Sequence, residues 1–249
     1  MPGKVAVPAV GGPADVDLWV ALTTACAPEA LREHFGWALS DEEWARHARF
    51  ARIADAHVFL LSRALLRVAL ANAIGGDPGS IGIVASASGK PRVTGPVEFN
   101  LSHTVEQDGA GAVAVAVTTA NPVGVDIEPV SRGVDLAELV ARRYTLEEQA
   151  MLARCDPAAR HRRMVWMWTA KEAVLKATGE GLRRPPETVA LEWGADDRLR
   201  TPGWHLTRFA RGGFVGTVAT AGTPGVTRVR WRAGGDLGEG PAPGVELRA

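Results

Sequence analysis

The sequence predicts an α+β fold built as two similar lobes, each a set of antiparallel strands packed on one long helix. Three observations carry that expectation. Apolar residues recur at helical spacing over 54–73, and Asp156-Pro157 opens a second long helix running to about Thr178. Short runs that alternate or are wholly apolar, bounded by glycine and proline, surround each of these segments and read as strands. Of the 249 residues, 46% are hydrophobic and 22% charged, enough apolar material for one large domain or two small packed ones.

Taken in order, residues 1–14 are rich in glycine, alanine and proline, lack periodicity and are expected to be loosely ordered. VDLWVAL (16–22) predicts a first strand. Ser40 followed by DEEWARHARFAR predicts a capped helix, with acids in its first turn and arginines later. The 54–73 helix stops at Gly75-Gly76, where a left-handed cap is cheapest. IGIVASA, PVEFNLS and GAVAVAVT then read as strands, completing a lobe over 15–121. In the second lobe, 122–232, VGVDIEPV is a strand and Leu136–Arg143 a helix. Thr145-Leu-Glu-Glu148 is a capping box opening another, and Asp156-Pro157 starts the long helix that Gly179 ends. VALEWG, WHLTRFA, FVGTVAT and VTRVRWR are expected as its antiparallel strands. Residues 233–249 are rich in glycine, alanine and proline and are expected to be a second loosely ordered end.

Composition narrows the class. No run approaches 18 uninterrupted apolar residues, so no membrane-spanning helix is expected. The first residues show no basic cluster followed by an apolar core, so no secretory signal is expected and the cytoplasm is the expected compartment. Two distant cysteines, Cys26 and Cys155, exclude a disulfide scaffold or zinc ribbon. A net charge of zero gives no global sign of nucleic acid or anionic membrane as partner. Only four of the 28 basic residues are lysines: Lys4, Lys90, Lys171 and Lys176. Lysine kept against so strong an arginine bias points to sites where a compact ammonium matters.

Four segments could carry chemistry. In Gly124-Val-Asp-Ile-Glu128 the i, i+2 spacing puts Asp126 and Glu128 on one face of a strand, with Val125 and Ile127 facing the core. Two acids side by side either sit in solvent at a strand end or hold a cation, and magnesium is the hard ion that suits carboxylates and phosphates. In Trp168-Thr-Ala-Lys-Glu-Ala-Val-Leu-Lys176, Glu172 and Lys176 share a helix face. They make either an exposed salt bridge or, given the apolar flanks, a cluster near a cleft. Ser102 and His103 end the Phe99-Asn-Leu-Ser-His103 strand, where they either bond locally or donate to a phosphate. A hydrolase pair is disfavoured because adjacent residues rarely face each other and Gly-x-Ser-x-Gly is absent. His103 and Asp108 show a His-x4-Asp spacing with no supporting motif. Ser88-Gly-Lys-Pro91 is no P-loop, since Val84 and Pro91 stand where that motif needs glycine and a hydroxyl. Lys90 is there either an exposed turn residue or a point charge for phosphate. Arg46 and Arg49, followed by Arg52, Arg63 and Arg67, make either a solvated face or a grip on a phosphorylated cofactor.

In this order the segments Gly89-Lys-Pro91, Phe99–His103, Gly124–Glu128 and Trp168–Lys176 resemble the Sfp-type 4′-phosphopantetheinyl transferase family over about residues 40–185. The resemblance implies two similar α+β lobes with coenzyme A between them. It implies magnesium bound by Asp126, Glu128 and Glu172, and Lys176 on the coenzyme A pyrophosphate beside Lys171. It puts Ser102, His103 and Lys90 on the cofactor, with Arg46 and Arg49 near its 3′-phosphate. Where family members carry a basic residue after the Asp-Ala-His-like segment, this chain has Val58-Phe59, and Arg63 one turn on would substitute. The implied reaction moves the phosphopantetheine arm onto a serine of an apo acyl, peptidyl or aryl carrier protein and releases 3′,5′-ADP. Asp126, Glu172 and Lys176 would be its catalytic residues, with Glu172 or a metal-bound water as base. The expected acting species is a monomer. Rival readings are a magnesium-dependent hydrolase of coenzyme A or nucleotide pyrophosphates, and a non-catalytic coenzyme A- or carrier-binding module.

Overall fold

In the computed structural model the described residues are 14–85, 91–131, 136–222, 224–232 and 245–247. The chain opens with β1 (Ala14–Leu22), followed by α1 (Pro28–Phe35), α2 (Asp41–His47) and α3 (Ile53–Ile74). Next come β2 (Ile83–Ala85), β3 (Pro91–Val93), β4 (Glu98–Val105), β5 (Gly111–Thr118) and β6 (Val123–Pro129). Helices α4 (Leu136–Arg143), α5 (Leu146–Ala153) and α6 (Pro157–Thr178) lead to β7 (Glu192–Trp193), β8 (Leu199–Arg200), β9 (Trp204–Arg211), β10 (Phe214–Ala221), β11 (Pro224–Arg232) and β12 (Val245–Leu247).

The predicted helix signals act as chemistry requires. Ser40 Oγ accepts from Glu43 N while the Glu43 carboxylate accepts from Ser40 N, closing the capping box of α2. Thr145 and Glu148 do the same for α5. Gly75 at φ 73° and Gly179 at φ 75° take left-handed caps that end α3 and α6.

The α+β class with two helix-backed sheets holds. One sheet has the order β12-β11-β1-β5-β4, the other β6-β10-β9. Period-two alternation distributes three cores. On β5, Val113, Val115 and Val117 face α3, with Leu61, Leu65 and Phe99. Ala112, Ala114 and Ala116 point the other way and, with Leu18 and Val20, meet Val123, Val125 and Ile127 of the second sheet. Small residues on that face let the two sheets pack directly. On the far side of the second sheet Met167, Ala170, Val174 and Leu175 of α6 cover Val215 and Ala219.

Three expectations need correction. The Ser40 helix stops at His47 instead of running to Arg52, because the chain turns there and seats Phe50 against Phe59, ring centroids 5.3 Å apart. VTRVRWR does not extend the second sheet: β11 pairs parallel to β1, with Trp19 opposite Arg230. There Arg230 reaches Asp17 at 3.2 Å and stacks over Trp19, so β1 is covered on the side that β5 leaves open. Alternation within a strand reports its faces and is silent about its neighbour. Within the presumed loose tail, Val245–Leu247 forms β12 against β11. Among the described residues no helix is long and apolar enough to cross a membrane.

Candidate active site at the junction of the two sheets

β6 is the edge strand of its sheet, bonded to β10 on one side, with β4 of the other sheet running beside its free edge. As the spacing predicts, Val125 and Ile127 enter the core between the sheets, leaving Asp126 and Glu128 on the face toward α6. Gly124 decides how closely α6 approaches. A β-carbon there would collide with the carbonyl oxygen of Ala173, so only glycine permits this crossing. One turn beyond Ala173, Lys176 is thereby brought onto Asp126.

Lys176 Nζ donates to Asp126 Oδ1 at 2.6 Å and to Ser102 Oγ at 2.9 Å. Ser102 in turn donates to the same Asp126 oxygen at 2.8 Å. Asp126 is 4% exposed, and its other oxygen, Oδ2, is buried with no hydrogen-bond partner among the described residues. A hard divalent cation is the kind of ligand that such an oxygen takes, in company with one further carboxylate and a substrate's phosphates. Glu128 Oε2 accepts from Thr104 Oγ1 at 3.1 Å. Glu172, 8% exposed, lies one turn before Lys176 on α6. The rotation of α6 is pinned by Thr169, whose hydroxyl is 2.8 Å from that of Thr217, the β10 residue opposite Asp126. Among the described residues no three acidic, histidine or cysteine side chains stand close enough to hold a metal by themselves. The protein thus offers the one or two carboxylates that a phosphate-bound magnesium ordinarily takes, rather than a complete cage.

Ser102 and His103 are split by strand alternation. Ser102 faces β6, whereas His103 shares the face of Leu101 and Val105, which pack toward α3. The His103 imidazole is held below its ordinary pKa. Protein around it removes it partly from water, although the residue as a whole keeps solvent contact, and the cations of Lys176, Arg63 and Arg46 add to the effect against Asp55. Those arginines are organised by Phe59: the guanidinium of Arg46 lies 5.3 Å and that of Arg63 5.2 Å from its ring centre. Burial also pulls the Arg63 pKa down, with Glu43 opposing. Arg67 pairs with Glu43 at 2.7 Å and is a structural partner of the α2 cap. Val58 is buried against Gly111, so the Val58-Phe59 pair replaces a cation by a wall and an aromatic platform. Arg49 is exposed in the turn after α2. Lys90 lies outside the described residues.

Lys171 does not join this cluster. Five residues separate it from Lys176, which at 3.6 per turn is about 140° around the helix. It is fully buried, pairs with Glu148 at 2.8 Å and donates to the carbonyls of Val189 and Pro186. Desolvation lowers its pKa, with Glu148 opposing. A cavity of about 460 Å³ against Trp166, Trp204 and Arg208 is lined by none of the cluster residues.

Thr104, Asn100 and Phe59 were not legible as site residues. Thr104 follows the Phe99–His103 motif by one position, and its parity with Ser102 on the strand was the available signal.

Buried acid, ammonium and hydroxyl in the seam, with the guanidiniums mounted on Phe59 near His103, are groups of the kind that a phosphorylated substrate takes. Residues 122–211 match the family described as the 4′-phosphopantetheinyl transferase superfamily. The chain is 31% identical to the 4′-phosphopantetheinyl transferase HetI of Nostoc sp. over 204 residues, 78% of this chain and 84% of that protein. It is 29% identical over 179 residues to a 4′-phosphopantetheinyl transferase of Bacillus subtilis, covering 70% and 76% of the two chains. With the 4′-phosphopantetheinyl transferase Sfp of Bacillus subtilis the identity is 25% over 169 residues, 67% and 72% of the chains. The chain belongs to this superfamily, and it is an enzyme, a 4′-phosphopantetheinyl transferase.

Proposed function

We propose that the seam between β4 and β6 is where the pyrophosphate of coenzyme A is held and its phosphopantetheine arm passed to a serine of an apo carrier protein. The single observation that carries this reading is the cluster of Lys176, Ser102 and the half-satisfied Asp126. Asp126, Glu128 and Glu172 are the acids from which magnesium, bound together with the substrate's phosphates, would take one or two carboxylate ligands, and its chemistry would be to neutralise charge that develops on phosphoryl oxygens. Lys176 supplies a second positive charge there, held by Asp126 and Ser102 so that little reorganisation is needed when charge develops. Glu172 is the protein's own candidate to accept the serine proton, being a largely buried carboxylate one helical turn from Lys176. Arg46 and Arg63 form the cationic wall for the nucleotide phosphates, with His103 beside them as a ring N–H donor and Arg49 and Lys90 as further cationic candidates. Lys171 has a competing structural role as the buried partner of Glu148.

The halves divide near residues 121 and 122 in this reading, with β11 returning to the first sheet. Both halves come from one chain, so a monomer suffices. The cytoplasm, where coenzyme A and apo carriers meet, is the proposed compartment. The test incubates the chain with coenzyme A, magnesium and a panel of apo acyl, peptidyl and aryl carrier proteins. A mass gain of one arm on the carrier, lost in Asp126→Ala and Glu172→Ala, is the expected result. Hydrolysis of coenzyme A with no mass gain on any carrier would replace transfer by a hydrolase reading, and near-normal transfer by either variant would sink the acid assignment.

A further inference from the structure

β4 turns three alternate side chains toward the free edge of β6. Asn100 Oδ1 accepts from Val125 N at 3.0 Å, Ser102 donates to Asp126 at 2.8 Å, and Thr104 donates to Glu128 at 3.1 Å. The partners advance together along both strands, which therefore run in the same sense. One step beyond, Ser131 Oγ donates to Glu106 at 2.9 Å. The two strands belong to different sheets, so side chains make this seam in place of a backbone ladder.

We propose that Thr104 is a positioning residue: its hydroxyl, supplied by the first sheet, fixes the rotamer in which the Glu128 carboxylate of the second sheet meets a cation. The inference rests on the proposed cation site and adds to it a residue that touches no substrate. Its logic is preorganisation. A free glutamate has three torsions to order when it takes a metal, and that ordering opposes binding. A hydrogen bond to Oε2 orders them beforehand. Ser102 serves Asp126 in the same way but is already shared, since it also accepts from Lys176. Thr104 is not shared with Lys176 in this way, which makes it the cleaner residue to test. A consequence is that cation affinity depends on contact between the two halves, because the orienting hydroxyl and the oriented acid lie in different sheets.

The experiment measures Mn²⁺ binding to the full chain by water-proton relaxation, without coenzyme A. The variants are Thr104→Val, which keeps shape and loses the hydroxyl, Thr104→Ser, which keeps the hydroxyl, and Glu128→Gln. Expected are an affinity about 10–100-fold weaker in Thr104→Val, recovery in Thr104→Ser, and an unchanged melting temperature in chelator for both. Wild-type affinity in Thr104→Val with a loss in Glu128→Gln would overturn the role of Thr104 and leave the acid site standing. Wild-type affinity in Glu128→Gln would remove the cation site and the inference with it. Equal loss in the valine and serine variants would assign the effect to packing and overturn the hydroxyl's role. Should Thr104→Val fold poorly, Thr104→Ala gives the same comparison against Thr104→Ser.

Discussion

Lys176 and Asp126 form an ion pair, 2.6 Å between Nζ and Oδ1, that joins α6 to β6. The lysine side chain is 26% exposed and the aspartate 5%, so the lysine keeps contact with solvent while its partner is buried. A buried carboxylate satisfied at one oxygen only is costly, and in the proposed reading a cation supplies what the second oxygen lacks.

Replacing Lys176 by methionine keeps the apolar stem and removes the charge. Stability should fall by about 1–3 kcal/mol, since Asp126 keeps Ser102 as its donor but loses the ammonium. Transfer to a carrier should slow by about 10²–10³-fold, as for loss of one fixed donor to developing charge. Urea unfolding and single-turnover mass measurement check the two numbers.

Gly124→Ala places a methyl group where the backbone of α6 crosses β6. Overpacking at a site that cannot yield typically costs about 1–3 kcal/mol. Because the strain falls at Ala173, between Glu172 and Lys176, activity should drop further than the folded fraction does. Turnover per folded molecule, measured below the unfolding transition, separates the two losses.

Lys171→Met tests a buried pair rather than a cofactor contact. Breaking such a pair by removing one partner costs about 3–5 kcal/mol, because Glu148 remains buried. Folded enzyme should keep its KM for coenzyme A. A raised KM in stable protein would return Lys171 to the substrate site.

His103 carries a pH signature. Its pKa in the folded protein lies below the ordinary 6.5, so the fold favours the neutral ring. Its contribution to stability is complete above pH 6.5 and is lost as the pH falls toward the lowered folded value. His103→Asn should flatten the stability profile in that window, as followed by urea midpoints. In the proposed role a bound phosphate raises this pKa again, so coenzyme A binding takes up a proton near that pH. Calorimetry in two buffers of different ionisation enthalpy reads the uptake, which should vanish in His103→Asn.

Much of the site was legible because it is local. Asp126 with Glu128, and Glu172 with Lys176, are pairs whose shared faces follow from the periods of strand and helix alone. The same arithmetic could have separated Lys171 from Lys176, yet the resemblance kept them together. The caps at Ser40, Thr145, Gly75 and Gly179 were equally local. Thr104 and Phe59 were missed because their roles depend on a partner from another element: a carboxylate 24 positions away for one and the guanidiniums of Arg46 and Arg63 for the other.

The sequence by itself determined the periods, the caps and which acids share a face, since these depend on neighbours within a turn or two of chain. Tertiary structure decided that β11 lies beside β1, that Lys171 turns into the core and that Ser102 and Thr104 grip the acids of the other sheet. The physical reason is that a strand's alternation fixes two faces and leaves its edges unassigned. Which edges meet is set by the packing of whole sheets, here by the alanine face of β5 against β6 and by the glycine that lets α6 approach.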